Sequence, residues 1–274
     1  MKKKVRLIAS DLDGTLLDEQ KQVSGRNRKA LEKAAQQGIL FVPATGRIFS
    51  AIPEPVSELP FVRYVITVNG SGLYDRVQEK MLFEAKIPCK EAIRLCHFVR
   101  RYGTMFDCYL EGHGYMERHF YERIDEYCVE ALRSMVRATR KPVEDLPAFI
   151  EEHGDVQKVQ MFFLDMELRA RAFRELAEAF PDMLATSSIV NNIEVNIREA
   201  NKGAALTRLC GLLGIDMAET VAFGDGGNDV TLLQAAGTGV AMANACEEAL
   251  AAADAVTLSN AEDGIAEYLE KYVL

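Results

Sequence analysis

Short apolar runs of strand length, rich in β-branched residues, recur at 5–9, 39–42, 64–68, 221–223 and 240–242 of this 274-residue chain. Between the first two lies SGRNRKALEKAAQQG, where Ser24 is placed to cap a helix, Leu31, Ala34 and Ala35 repeat at helical spacing, and Gly38 ends it. Strand, helix and strand in that order form a βαβ unit. Near the other end KGAALTRLCGLLG, TVAFG, NDVTLLQAAG and GVAMA repeat the alternation, with Gly214 and Gly237 as helix stops. The pattern predicts an α/β fold with a doubly wound, Rossmann-like parallel sheet covered by helices.

The middle of the chain is patterned differently, because its strand-like stretches arrive in hairpin pairs and carry more polar residues. Residues 104–111 and 115–118 flank the turn signal Gly112-His113-Gly114, while 155–165 and 187–197 flank the amphipathic segment MELRARAFRELAEAF, with Asn191-Asn192 as a turn candidate. The spacing of Tyr127, Cys128, Ala131, Leu132 and Met135 predicts one helix face against this second sheet. An inserted α+β unit fits, which divides the chain into core at 1–83, insertion at 84–193 and core again at 194–274. No internal repeat or low-complexity tract interrupts this plan.

Directly after the first strand the chain reads Asp11-Leu12-Asp13-Gly14-Thr15-Leu16-Leu17. Two carboxylates thus leave the carboxyl end of a central strand, the edge where open α/β sheets bind ligands. Neighbouring anions at a buried strand end repel and lose hydration, so something positive must offset them, and a divalent metal is the simplest candidate. Gly224-Asp225-Gly226-Gly227-Asn228-Asp229 supplies acids at a second strand end, and these converge on the first pair if the strands are parallel. Oxygen ligands in a chain with 4 histidines favour Mg²⁺ over zinc. At a third strand end Ala44-Thr45-Gly46-Arg47 brings a hydroxyl, a backbone amide and a guanidinium, all donors suited to phosphate oxygens. Lys202 begins a helix after Asn201 and can neutralise charge on a phosphoryl group.

Plainer readings compete with each motif. A calcium loop starting at Asp11 would have Leu16 where its turn glycine belongs and Gln22 where its bidentate glutamate belongs. GDGGND is a poor dinucleotide loop, since Asp229 sets an anion where a pyrophosphate needs room. Thr45 or Lys202 alone would read as a cap or a solvated surface residue. Their order and placement together favour function.

That ordered set, DLDGTLL, ATGR, the lysine of NKGAAL and GDGGNDVTLL, resembles the four motifs of the haloacid dehalogenase-like phosphohydrolases. The long insertion between ATGR and the lysine, with Asn69-Gly70 after the third strand and AMANA near the end, is similar to the Cof-type (type IIB) sugar-phosphatase branch, whose insertion is an α/β cap. The resemblance implies that Asp11 is the nucleophile and forms an aspartyl-phosphate, while Asp13 protonates the leaving oxygen and then activates water. It implies that Thr45 and Lys202 hold the phosphoryl oxygens, with Gly46, Arg47, Asn69 and Asn228 at the phosphate side of the site. Mg²⁺ would lie among Asp11, the Asp13 main-chain carbonyl and Asp225, with Asp229 acting through water or from behind. Elementary chemistry agrees: a carboxylate accepts a phosphoryl group only when a metal and donors offset its charge, and a second acid can shuttle the proton. Glu199-Ala200-Asn201 before the lysine, Pro43 before ATGR, and Ala243 where relatives carry glycine depart from the common pattern. None removes a reacting group. In the insertion, Glu111, His113, Tyr115, Asn191 and Asn192 are candidates for facing substrate, each also readable as a solvated turn residue, and His97 reads as structural.

With Lys+Arg 32 and Asp+Glu 41 the formal net charge is −9, which repels polyanions and excludes nucleic acid as the main partner. A small phosphorylated metabolite instead needs only local positive charge, which Arg47, Lys202 and a metal would supply. The apolar stretch behind Lys2, Lys3 and Lys4 is too short for a signal peptide, and no run approaches the ~18 apolar residues of a membrane span. A cytoplasmic enzyme, monomeric or a small homo-oligomer, is expected, with its 6 scattered cysteines as free thiols. Two other readings stand beside a phosphatase. One is a phosphosugar mutase of the same fold. The other is a non-catalytic metabolite sensor, which would be expected to lack one of Asp11, Asp13, Lys202 and Asp225.

Overall fold

The computed structural model describes residues 4–274, which divide into two compact units, 4–83 with 200–274 and 84–199. The first unit is built on a parallel sheet. Its strands are β1 (Leu7–Ser10), β2 (Leu40–Pro43), β3 (Tyr64–Thr67), β4 (Thr220–Gly224), β5 (Thr238–Ala241) and β6 (Ala255–Val256). They run β6-β5-β4-β1-β2 in space, and β3 continues the sheet through parallel bridges of Phe41 to Val62 and Ala44 to Ile66. The central strand β1 pairs Leu7 with Thr220 on one side and with Leu40 on the other, so strand order reverses at β1.

Both faces of this sheet are covered, which is why its strands are apolar on consecutive positions. Ile8, Phe41, Val65 and Phe223 pack on one side with Ala30 and Leu31 of α1 (Gly25–Gln36) and with Ile265 and Leu269 of the helix Gly264–Tyr272. Leu7, Ala9, Val42, Ile66 and Ala222 pack on the other with Leu206 and Leu209 of α2 (Lys202–Leu213). Each such side chain taken fully from water contributes ~1.5–3 kcal/mol. Ser24 caps α1 by accepting the Asn27 amide at 3.0 Å, and Asn201 caps α2 by accepting the Ala204 amide at 2.8 Å. Gly214 ends α2 in the left-handed region.

The second unit is a six-stranded sheet in the order Met183–Thr186, Asn192–Ile197, Lys158–Phe162, Met105–Leu110, His113–Glu117, Arg140–Val143, antiparallel except for its last pair. On one face Val159, Met161, Ile193 and Val195 join Leu95 and Val99 of the helix Cys89–Arg100 and Leu176 of the helix Met166–Ala179. Alternate residues carry buried, paired charge: Arg140 Nε lies 2.9 Å from Asp107 Oδ2, and Lys158 Nζ 2.7 Å from Glu194 Oε1. Among the described residues no helix is long and apolar enough to cross a membrane, and all six cysteines are free.

Several expectations shift here. The junction falls after residue 199 and not after 193, because Asn192–Ile197 pairs along Lys158–Phe162. The expected strand 187–197 begins only at Asn192. Before it the chain turns, and the Asn192 carboxamide oxygen accepts the Ser188 and Ile189 amides at 3.1 and 3.2 Å. His113 pairs with Leu110 inside the sheet instead of sitting in the turn. The single helix face over 127–135 is broken, since Cys128 is extended at φ −131°, ψ 139° between the helices Ile124–Tyr127 and Glu130–Thr139. Arg140–Val143, with Pro142 inside it, and Met183–Thr186 are strands that no pattern announced.

Two glycines of α2 have opposite meaning. A Cβ on Gly203 would lie 2.1 Å from the Thr231 carbonyl oxygen, whereas one on exposed Gly211 would meet nothing within 4 Å. Gly211→Ala should therefore stabilise the protein by about 0.5–1 kcal/mol through helix propensity, while Gly203→Ala should destabilise it by more than about 1 kcal/mol. Thermal melts of the two variants check the sign change.

Candidate active site

Parallel pairing brings the carboxyl ends of β1, β2, β3 and β4 to one edge, and with them every site residue expected from the sequence of the first unit. Asp11 follows β1, and its amide donates to the Phe223 carbonyl at 3.0 Å, which locks its backbone to β4. Lys202, at the first turn of α2, is fully buried and reaches Asp11 Oδ1 at 2.5 Å and Asp229 Oδ1 at 2.6 Å. The other Asp229 oxygen accepts the amides of Asp225 and Gly226, each at 3.0 Å. Asp225 Oδ1 accepts the Thr15 hydroxyl at 2.6 Å.

Close approach of backbones makes this convergence possible. A Cβ on Gly14 would lie 2.3 Å from Asp225 Oδ2, and one on Gly70 would lie 2.2 Å from the Asn201 carbonyl oxygen. Both glycines also have positive φ, +84° and +99°. In the loop after β3, Val68 and Asn69 are left-handed too, at φ 49° and 57°. For a β-branched valine this is a strained state that its surroundings must impose. Here the Val68 and Asn69 amides donate to the Arg47 and Thr45 carbonyls at 2.9 and 3.0 Å. Asn69 Oδ1 in turn accepts Asn228 Nδ2 at 3.0 Å.

Burial and mutual repulsion dominate the electrostatics. Asp11 has its carboxyl pushed well above the usual range by burial, against the pull of Lys202, and Asp229, Asp225 and Asp13 add to the rise. Burial and then Asp229 push Asp225 up to about 7. Lys202 is held protonated above its ordinary value: burial opposes the charge, but Asp11 and Asp229 outweigh it. Asp13 behaves oppositely. Burial would raise it, yet Arg47, bonded through Nε at 2.7 Å and Nη2 at 2.8 Å, and Lys21 at 2.8 Å bring it down to about 2.

One oxygen from each of Asp11, Asp225 and Asp229 lies within 4.8 Å of the others. Three carboxylates, two buried and Asp225 half-buried, against one ammonium leave excess negative charge, and hard oxygen donors so gathered fit a divalent cation. The Asp13 carboxylate is not part of that cluster. The ATGR segment is also more engaged than its sequence suggests: the Thr45 amide donates to the Ile66 carbonyl at 2.9 Å, the Thr45 hydroxyl accepts the Arg47 amide at 3.2 Å, and Arg47 Nη1 donates to the Ala51 carbonyl at 2.9 Å. Sequence reasoning assigned no role to Thr15, Lys21 or Asn244. Thr15 and Asn244 sit in motifs already singled out, whereas Lys21 carries no local signal.

Comparison with known proteins agrees with this construction. The profile of the haloacid dehalogenase-like hydrolases matches residues 8–269. Phosphatase YwpJ of Bacillus subtilis (strain 168) is 32% identical over 294 residues, covering 98% of this chain and 100% of the relative. The 5-amino-6-(5-phospho-D-ribitylamino)uracil phosphatase YcsE of the same organism is 30% identical, covering 98% and 96%. The subclass IIB sugar phosphatase BT4131 superposes with a TM-score of 0.83 at 25% identity, covering 98% of this chain and 99% of that one. The chain belongs to the haloacid dehalogenase-like hydrolases, a family that generally uses a metal ion. Within it the chain falls in the Cof-type subclass IIB branch, and it is a phosphatase acting on phosphorylated small molecules.

The charge excess gives opposite expectations for two neighbours. In protein freed of metal by a chelator, Asp11→Asn should raise the melting temperature, by about 1 kcal/mol of stability, because it removes an anion the fold disfavours. Lys202→Met should cost about 3–5 kcal/mol, since it strands Asp11 and Asp229 without their counter-charge. Melting curves of both variants in chelator test the pair.

Proposed function

We propose that the chain is a Mg²⁺-dependent phosphatase of small phosphorylated metabolites, sugar phosphates foremost, and that it works through an aspartyl-phosphate on Asp11. The observation that carries this reading is the buried Lys202 ammonium at 2.5 Å from Asp11, beside Asp225 and Asp229, at the carboxyl edge of the sheet. Such an arrangement presents a carboxylate oxygen to an incoming phosphorus while the lysine offsets charge on the transferring oxygens. Asp11, Asp225, Asp229 and the Asp13 main-chain carbonyl are the residues that would hold Mg²⁺. The bound ion would supply further positive charge against the phosphoryl oxygens.

In the first step an Asp11 oxygen bonds to phosphorus, the ester bond breaks, and the leaving alkoxide takes a proton from Asp13. In the second step Asp13 removes a proton from water, whose oxygen displaces the phosphoryl group from Asp11 as inorganic phosphate. Clamped by Arg47 and Lys21, Asp13 is a carboxylate, suited to the second step and not the first. An arriving phosphate dianion competes with Asp13 for Arg47, which loosens the clamp and lets the carboxylate take up from solvent the proton it then gives to the leaving oxygen. Thr45, Gly46 and Arg47 line the phosphate side with Lys202, and the Asn69–Asn228 bond braces that side. The names of YcsE, a phosphatase of a phosphoribitylamino compound, and of BT4131, a sugar phosphatase, support the substrate class. The free thiols agree with a reducing, cytoplasmic setting.

A screen of phosphorylated metabolites with Mg²⁺, reading released phosphate, tests the activity. Asp11→Asn should fall to trace release on every substrate the parent accepts, and retained turnover would remove Asp11 as nucleophile. Asp13→Asn separates the two steps. With an activated ester whose leaving group needs no proton, this variant should give a stoichiometric burst, a slow steady rate and phosphate trapped on Asp11. A fast steady rate with no adduct would take the proton-transfer role from Asp13.

A further inference from the structure

We propose that Asn244 is a positioning residue for the metal-holding acids: its carboxamide clasps the loop after β1 to the C-terminal flank and thereby seats the Asp225 carboxylate. The proposal rests on the reading that Asp11, Asp225 and Asp229 hold the metal. Asn244 Nδ2 donates to the Gly14 carbonyl at 2.8 Å, and its Oδ1 accepts the Asn260 amide at 3.1 Å. Asn260 Nδ2 donates to the Leu17 carbonyl at 2.8 Å. The main chain of the loop carrying Asp13 is therefore fastened at residues 14 and 17. The stretch that carries Asn244 also holds the second acidic loop, because the Met242 amide donates to the Gly224 carbonyl at 3.1 Å and the Cys246 amide to the Asp225 carbonyl at 2.9 Å.

Between these two fastenings sits the Asp225 side chain. The Thr15 hydroxyl binds one of its oxygens at 2.6 Å, and Gly14 abuts the other so closely that a Cβ would lie 2.3 Å away. Gly14 is in the left-handed region at φ +84°, and its carbonyl is the atom that Asn244 holds. If that bond is lost, the peptide after Gly14 can rotate, and Thr15 moves off the carboxylate it orients. Asn244 is exposed, so its removal leaves no cavity, and its effect should appear in metal binding more than in stability. Residues that orient a metal ligand from behind commonly change affinity by 10–100-fold.

Binding of Mn²⁺ to the whole protein, with free ion counted by electron paramagnetic resonance, reads this without any turnover. Asn244→Ala and Asn244→Asp should each raise the Mn²⁺ dissociation constant about tenfold while melting within a few degrees of the parent. The aspartate keeps an acceptor for the Asn260 amide but cannot donate to Gly14, so it isolates the bond that matters and decides the question even if the alanine variant folds poorly. Thr15→Val should raise the constant by about 10–100-fold, and the double variant should be no weaker than Thr15→Val alone, because both act through the seat of Asp225. At saturating Mn²⁺ the KM of Asn244→Asp should match the parent while kcat is lower. Parent affinity in Asn244→Asp, or losses that multiply in the double variant, would overturn the proposal. Asp225→Ala binding Mn²⁺ as tightly as the parent would place the metal elsewhere, which removes the underlying reading and this proposal together.

Discussion

Lys202 sits between two aspartates with no exposure to water, and the rest of the first unit is arranged around keeping it there. A buried ammonium is tolerated only when its charge is met at hydrogen-bond distance, and a buried carboxylate likewise. One lysine cannot balance Asp11, Asp229 and Asp225 together. The surplus appears as carboxyls pushed above their usual range at Asp11 and Asp225, while Asp13, a short way along the same loop, is pulled down to about 2 by two cations of its own. Environment alone thus drives three chemically identical side chains in opposite directions, Asp11 and Asp225 up and Asp13 down.

Holding that charge requires backbone precision more than side-chain bulk. The amide of Asp11 is anchored to β4, Gly70 presses on the cap of α2, and Gly203 lets α2 lie against the carbonyl of Thr231. These contacts fix the height and direction from which Lys202 enters. The strained Val68 belongs to the same scheme, since its left-handed backbone lets Asn69 reach Asn228.

Much of this was legible in the sequence, for identifiable reasons. Strands buried on both faces leave unbroken apolar runs, so β1 to β5 were read to within a few residues, and the acids after β1 and β4 had to converge once the strands were parallel. Arg140–Val143 was not legible, because Arg-Lys-Pro-Val has no strand pattern and its pairing is supplied by a neighbour at a sheet edge, where a proline without an amide is tolerated. The break at Cys128 hid inside a spacing that suits a helix. At the site, residue types disclosed chemistry but not partners: Arg47 was read as a phosphate donor, and its bidentate grip on Asp13 depends on a distance of folding that no local pattern encodes.

The insertion between β3 and α2 has a consequence for how the molecule is made. β1 is synthesised well before β4, one of its two neighbours, because the whole insertion lies between them, so the central strand of the sheet has an open edge until β4 is made. Residues 84–199 are contiguous and can close their own core meanwhile. Loop-closure entropy is then reduced, because a folded insertion holds its two ends at fixed points where a slack chain would have to bring them together. Nascent chains stopped before residue 220 carry Asp11 without its anchor on β4, and they display an unpaired strand edge, apolar at Leu7, Ile8 and Ala9, of the kind that chaperones and neighbouring chains recognise.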